Sequence, residues 1–321
     1  MKFSDFHIDT LMHILIAKSK GEYIDLYKND LNIDIKRLKD SNYVAQIFAC
    51  FVNLGEAPIT TSHYDDALGM IKIFHEEVEK HRGLIALATD YDSYLRNKDE
   101  GLLSGFLAVE EGGIIEHDKK KLDELFSLGV RFITLTWNHE NSIGFPNFQW
   151  IHQNDGLKEF GLEVLSRMDE LGIAADVSHL SDGGFKDIVV HGKRPFIATH
   201  SNCRAIQNHP RNLSDDMIKD LANKGGIAGL NFCQDFLEPD GRSSVEAMIN
   251  HIRHFIKIGG DEIVGLGTDF DGIPQHNLEI AGAEDIPKLA MEMEKAGFTE
   301  RQIEGFCYKN FEKFLERYER S

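Results

Sequence analysis

A chain of 321 residues, 42% of them hydrophobic, can bury one large core, and a single α/β barrel reaches this size. Its formal net charge of -18 excludes nucleic-acid backbones and anionic membranes as natural partners, because an acidic surface repels phosphate, and leaves small solutes and proteins. Cys50, Cys203, Cys233 and Cys307 stand far apart with no C-x-x-C pair, which argues against a thiolate zinc cage or a disulfide framework and fits a reducing cytoplasm.

The first nine residues, Met1 to Asp9, lack the basic, apolar and small-residue succession of a secretory signal, and no apolar run approaches the roughly 20 residues that span a bilayer. A soluble cytoplasmic protein is therefore expected. Short apolar runs alternate with amphipathic helical patterns, which predicts parallel strands joined by crossover helices. The first predicted strand, 3–8, leads into His7-Ile-Asp9; side chains two apart on an extended backbone share a side, so both can reach one cation. So short a motif is equally readable as a capping or loop pair.

A second strand is predicted over 44–52. The run 84–88 lies between a charged helix ending near His81 and a polar segment over 90–100, and is placed outside the barrel or read as helical. Strand 106–109 runs into Glu110-Glu-Gly-Gly113. Glu110 directly follows the apolar run and is the candidate to bridge two metals; Glu111, with the opposite pleat direction, is expected to face solvent. A plain solvated turn is the alternative for the pair. After a helix over 119–128 and a strand over 132–136 comes the longest irregular stretch, His139 to Asp155. Loops after barrel strands usually build the site.

A helix over 157–171 is followed by strand 173–177, closing in Asp176-Val-Ser-His179, and by strand 196–198, closing in Thr199-His200-Ser201. Helix 214–223, strand 227–232, helix 243–258 and strand 263–266 follow, then Gly267-Thr-Asp269-Phe-Asp271-Gly272 and helix 286–295. Nine apolar runs are one more than a closed (β/α)8 barrel requires. With no repeat or Pro-rich linker, residues 1–321 read as one barrel domain.

Because the active site of a parallel barrel lies where strands end, polar residues after apolar runs are the ones to collect. His7, Asp9, Glu110, His179 and His200 supply three imidazoles and two carboxylates, a set suited to zinc. Without a cation such a cluster would be uncompensated. Asp269 is the proton-transfer candidate, with a ligand-orienting carboxylate as its other reading, while Asp271 forms the turn. His13, His63, His75, His81, His251 and His254 read as surface residues.

In order and context, His7-Ile-Asp9, Val109-Glu-Glu-Gly-Gly113, Gly129-Val-Arg-Phe-Ile-Thr-Leu-Thr136, Asp176-Val-Ser-His179, His200-Ser201, Arg211-Asn212 and Gly267-Thr-Asp-Phe-Asp-Gly272 resemble the zinc-dependent membrane dipeptidase family, also called renal dipeptidase or peptidase family M19, over almost the whole chain. The resemblance implies two Zn2+ ions per chain, His7 and Asp9 on one, His179 and His200 on the other, and Glu110 between them. A shared hydroxide would attack the scissile carbonyl of a dipeptide. It also implies that Arg211 clamps the substrate's terminal carboxylate and that Asp269 is the acid-base residue.

Many members carry a substrate-contacting histidine directly after the Thr-Leu-Thr strand. Here Trp137-Asn-His139 stands there, which makes His139 the candidate for substrate binding from two positions later. The secretion, lipid anchor and disulfides of eukaryotic members have no counterpart. The competing functions are another binuclear amidohydrolase, acting on a cyclic amide, lactone or phosphoester, and a catalytically silent metal-binding barrel; intact Asp269 and Arg211 favour turnover. A small dipeptide is the expected partner, and a homodimer is one expected assembly.

Overall fold

The computed structural model describes residues 1–321. Nine parallel strands form the sheet: β1 (Phe3–Ile8), β2 (Tyr43–Phe51), β3 (Ile85–Leu87), β4 (Leu103–Glu110), β5 (Val130–Thr134), β6 (Ala174–Asp176), β7 (Ile197–Ala198), β8 (Ile227–Leu230) and β9 (Val264–Leu266). The order β2-β1-β9-β8-β7-β6-β5-β4 closes through pairing of β4 back onto β2, from Ala45 opposite Ser104 to Phe51 opposite Glu110. This is the expected (β/α)8 barrel.

β3 pairs only with the start of β4, Ile85 opposite Leu103, and stays outside the ring, so its helical reading falls. The polar segment after it is not irregular. Asp90 and Ser93 cap one another in a reciprocal box, and Tyr91–Asp99 is helical.

Alternation along β4 turns Phe106, Ala108 and Glu110 to one side, and the first two join Phe6, Phe132, Ala174, Ile197 and Ile227 in a buried interior cluster. The last helix, Asn310–Glu319, adds Phe311, Phe314 and Leu315, covering the end of the barrel opposite the strand C-termini. Phe311 sits 4.8 Å from Phe6 and 5.6 Å from Phe106, ring centre to ring centre. A larger shell of apolar side chains packs the outer helices on the strands.

Strand β1 departs from simple pleating. Its register against β2 slips between Asp5 and Ile8, and Asp9 has φ -107° and ψ 18°, no longer extended. His7 and Asp9 therefore meet through a register slip and a strand-to-helix turn, not through the two-residue period that predicted their meeting.

The reading of His251 as a surface residue is corrected. It is wholly buried on the helix Val245–Gly259, where Nδ1 accepts the Cys203 N–H at 3.0 Å and Nε2 lies 2.9 Å from the Leu237 carbonyl. Two main-chain groups that precede it in the chain, the Cys203 N–H and the carbonyl of Leu237 at the end of the short helix Gln234–Leu237, supply its partners, which no periodicity reveals. His13, His63, His75, His81 and His254 are partly buried.

Candidate metal centre and active site

All the collected strand-end residues except His139 converge at the C-terminal mouth. Glu110, the last residue of β4, is central: Oε2 lies 3.1 Å from His7 Nε2, and Oε1 lies 3.1 Å from His179 Nε2 and 3.5 Å from His200 Nε2. One oxygen thus faces each half of the cluster. Asp9 Oδ2 is 3.6 Å from His7 Nε2, and the two imidazole nitrogens of His179 and His200 are 3.0 Å apart. His7 and His200 are wholly buried, and Asp9, Glu110 and His179 nearly so.

These side chains fit divalent cations. Ligand atoms about 2.1 Å from a tetrahedral zinc lie about 3.4 Å from one another, in the range of the separations found here. Asp9 Oδ1 is buried without any hydrogen-bond partner, although Asp9 stands where a helix cap would use it. Burial, and next the charge of His7, push His200 well below the usual imidazole range; burial and then Arg211 bring His179 down to about 4. Both imidazoles are thus neutral with lone pairs available. Burial alone would lower His7 too, but the carboxylates of Glu110 and Asp9 outweigh it and raise it well above its usual range. Burial likewise raises Glu110, yet His7 and bonds from the other two imidazoles hold it far below a normal carboxyl. The cluster calls for positive charge, and without a cation His7 carries it as a proton.

Behind the imidazoles lies a buried network the sequence reading did not use. Asp176 accepts from Thr134 Oγ1, from the N–H and hydroxyl of Ser178, and from the N–H and hydroxyl of Thr199. With its proton on Asp176, the Thr199 oxygen is left as an acceptor 2.8 Å from His200 Nδ1 and 3.3 Å from His7 Nδ1. A neutral ring that gives its Nδ1–H to Thr199 would free its Nε2 lone pair for a cation beside Glu110. Asn231 is a second omission: its Nδ2 donates to Asp269 Oδ2 at 2.9 Å. It directly follows β8, so the rule that collected the other residues also selects it once the strand ends at Leu230 rather than 232.

Asp269 sits at φ 60° with its N–H on the His7 carbonyl, and its carboxylate lies within reach of His7 and Asp9. Burial, then the charges of Asp9 and Glu110, push its pKa well above the usual range against the pull of His7 and Arg211. At Gly272 an added Cβ would stand 2.1 Å from Asp9 Oδ2 and 2.7 Å from Asp269 Oδ1. Only glycine leaves the space between these carboxylates open. Asp271 is tied into its turn by the Thr10 hydroxyl and the Asn32 N–H.

The solvent-facing expectation for Glu111 is corrected. At φ 97° it turns inward and accepts from the N–H groups of Gly113 and Trp137 and from Asn141, anchoring the loop after β5. A positive φ breaks the pleat rule on which that expectation rested.

Arg211 is buried, stacks 5.3 Å from the Phe236 ring and donates Nη2 to the His200 carbonyl, while Nε and Nη1 have no partner. A cavity of about 250 Å³ opens over the centre, lined by Asp9, Glu110, His179, Asp269, Phe236 and Trp137 among others. His139 is exposed beside Gly55 and does not line it; Asn138, whose Oδ1 is 3.3 Å from His179 Nδ1, does.

Fold and donor set together define a metal-dependent hydrolase built on a (β/α)8 barrel. The family model of the membrane dipeptidases, peptidase family M19, matches residues 1–321, and the chain belongs to that family, a family of metallopeptidases that cleave peptide bonds. A protein of Schizosaccharomyces pombe described as an uncharacterized dipeptidase is 30% identical over 299 residues, 86% of this chain and 70% of that one. Among solved structures, the M19 metallopeptidase dipeptidase AC is 28% identical with a TM-score of 0.90, over 99% of this chain and 98% of that chain. A metallopeptidase of Rhodobacter sphaeroides liganded with a phosphinate mimic of the dipeptide L-Ala-D-Ala is 26% identical with a TM-score of 0.89, over 99% of each chain.

Proposed function

We propose that this dipeptidase works with two zinc ions, one held by His7 and Asp9 and the other by His179 and His200, with Glu110 between them. The observation that carries this reading is the division of Glu110, one oxygen toward His7 and the other toward the paired imidazoles. Two such ions supply an activated, hydroxide-like water at neutral pH and polarise the scissile carbonyl. The protein does the rest. Asp9, Glu110 and Asp269 set the charge of the cavity, and Thr199 fixes the tautomers of His7 and His200. Asp269, steadied by Asn231 through Oδ2, takes a proton from the attacking water and returns it to the leaving amine.

Arg211 binds the substrate's terminal carboxylate. Its stack on Phe236 fixes the plane of the guanidinium, and Nε and Nη1 lack any protein acceptor, so the head keeps donors for an anion. A cavity of about 250 Å³ suits a small solute, and the dipeptide mimic on the Rhodobacter relative supports dipeptides as the substrate class. His139 stands outside the substrate role in this reading, and Asn138 and Trp137 take that wall. Four buried free thiols support a reducing compartment such as the cytoplasm, and no helix is long and apolar enough to cross a membrane.

Metal analysis should find about two zinc equivalents per chain. Arg211→Lys should impair dipeptides far more than their C-terminal amides, since only the former present the paired acceptor. Equal losses on both substrates remove the clamp, and a single metal with full activity in Glu110→Ala removes the bridged centre.

A further inference from the structure

At the far end of the barrel from the metal centre, a second cavity of about 300 Å³ lies under the last helix, with the partly exposed Leu171, Tyr91 and Tyr318 among its walls. Four charged side chains line it, Arg131, Arg194, Asp90 and Glu319, two of each sign, and none is ion-paired with another. Arg131 gives Nε to the Thr89 carbonyl and Nη1 to those of Phe126 and Val130; Arg194 gives Nε to the Asp169 carbonyl and Nη1 to that of Tyr318. Each guanidinium thus keeps Nη2 without a protein acceptor, and its plane is fixed by stacking, Arg131 on Phe126 at 4.0 Å and Arg194 on Tyr318 at 5.4 Å. Asp90 caps the helix Tyr91–Asp99, and Glu319 accepts the Tyr91 N–H with one oxygen, leaving the other.

Two half-buried arginines without an ion-pair contact are unusual in a chain of net charge -18, where acidic partners abound. The neighbouring acids are committed to a helix N-terminus instead of neutralising them. A simple carboxylate would answer only the guanidiniums, an amine only the acids, and neither use is made of the aromatic wall by a small ion.

We propose that this cavity is a binding site for a free α-amino acid with an apolar side chain. Its carboxylate lies on Arg131 and Arg194, its ammonium on Asp90 and Glu319, and its side chain against Leu171 and Tyr91. Amino acids are the product class of peptide-bond hydrolysis, so the site reads the output of the enzyme. Its existence does not depend on the zinc mechanism.

Isothermal titration of the metal-loaded protein with L-phenylalanine and L-leucine tests it, with glycine, 3-phenylpropionate and phenethylamine each lacking one of the three features. Saturable binding of L-phenylalanine or L-leucine is expected, at least tenfold tighter than that of the three partial ligands. Arg131→Met with Arg194→Met should weaken it at least tenfold, and Arg211→Met should leave it unchanged. Because the arginines also hold main-chain carbonyls, Leu171→Trp, which fills the cavity and leaves every charge in place, should give the same loss in a protein whose melting is unchanged. Absence of saturable binding by either amino acid, binding that survives both Leu171→Trp and the double variant, or binding lost only in Arg211→Met overturns the site. Dipeptide turnover, measured in parallel, separates that failure from a failure of the dipeptidase reading.

Discussion

The two ends of the barrel interior are built on opposite terms. At the mouth, His7, Asp9, Glu110, His179, His200 and Arg211 are buried, charged or polar, and left with unpartnered atoms at Asp9 Oδ1 and at Arg211 Nε and Nη1. At the other end, beside the charged cavity, the rings of Phe6, Phe106, Phe311 and Phe314 carry no polar atom and bury one another tilted, edge to face or, for Phe311 on Phe314, stacked. Folding free energy comes from the second arrangement and is opposed by the first, because desolvated charges cost stability unless a partner arrives. The mouth keeps those groups apart for a ligand, and the aromatic end supports the structure that keeps them there.

Substitutions at the two ends should therefore separate chemistry from stability. The largest effect is expected from Asp269→Asn, which should lower dipeptide turnover by about 10²–10⁴-fold while zinc content holds and the melting temperature stays level or rises. If zinc is lost with activity, Asp269 belongs with His7 and Asp9 as a ligand and another group moves the proton. At the opposite end, Phe311→Ala removes a ring packed on three others and should cost about 3–5 kcal/mol in chemical denaturation, with turnover per folded molecule preserved.

A smaller effect tests a buried polar group of the third kind, satisfied by the protein itself. Burial, aided by the nearby His254 and opposed by the Leu237 carbonyl, pushes His251 down to about 4 from an ordinary 6.5. Between those values the unfolded chain binds a proton that the folded one refuses. Stability is therefore full above about pH 6.5 and falls as pH drops toward 4, by up to about 3 kcal/mol. His251→Gln should flatten that share of the pH dependence, seen as a smaller difference between urea midpoints at pH 7 and pH 4.5. An unchanged slope would show that acid sensitivity arises elsewhere.

The smallest change sharpens the account of the mouth. Thr199→Val deletes the oxygen that faces His7 and His200 and should weaken zinc about 10–100-fold in chelator competition, with Thr199→Ser restoring most of the loss. Equal binding by Val and Ser variants would mean that the imidazoles need no such orientation.

Much of this was legible in the chain itself. Alternating apolar runs and helical periods specify a parallel barrel, because both depend on the residue and its immediate neighbours. Strand-end polarity pointed to His7, Asp9, Glu110, His179, His200 and Asp269, since a closed parallel barrel delivers every strand end to one mouth. Where the backbone left its regular period, the same reasoning failed. Glu111 turned inward at a positive φ, and His139 was carried outward with its loop.

The sequence by itself thus determined the architecture, the donor types and the strand ends that carry them. Only the tertiary structure decided which atoms face which: Thr199 against His7 across 192 positions, Asn231 on Asp269, His251 between Cys203 and Leu237, and four charges without ion-pair contacts in one cavity at the far end. The physical reason is range. Periodicity records what each residue does to its own segment, whereas these contacts exist only after barrel closure brings distant segments within hydrogen-bonding distance.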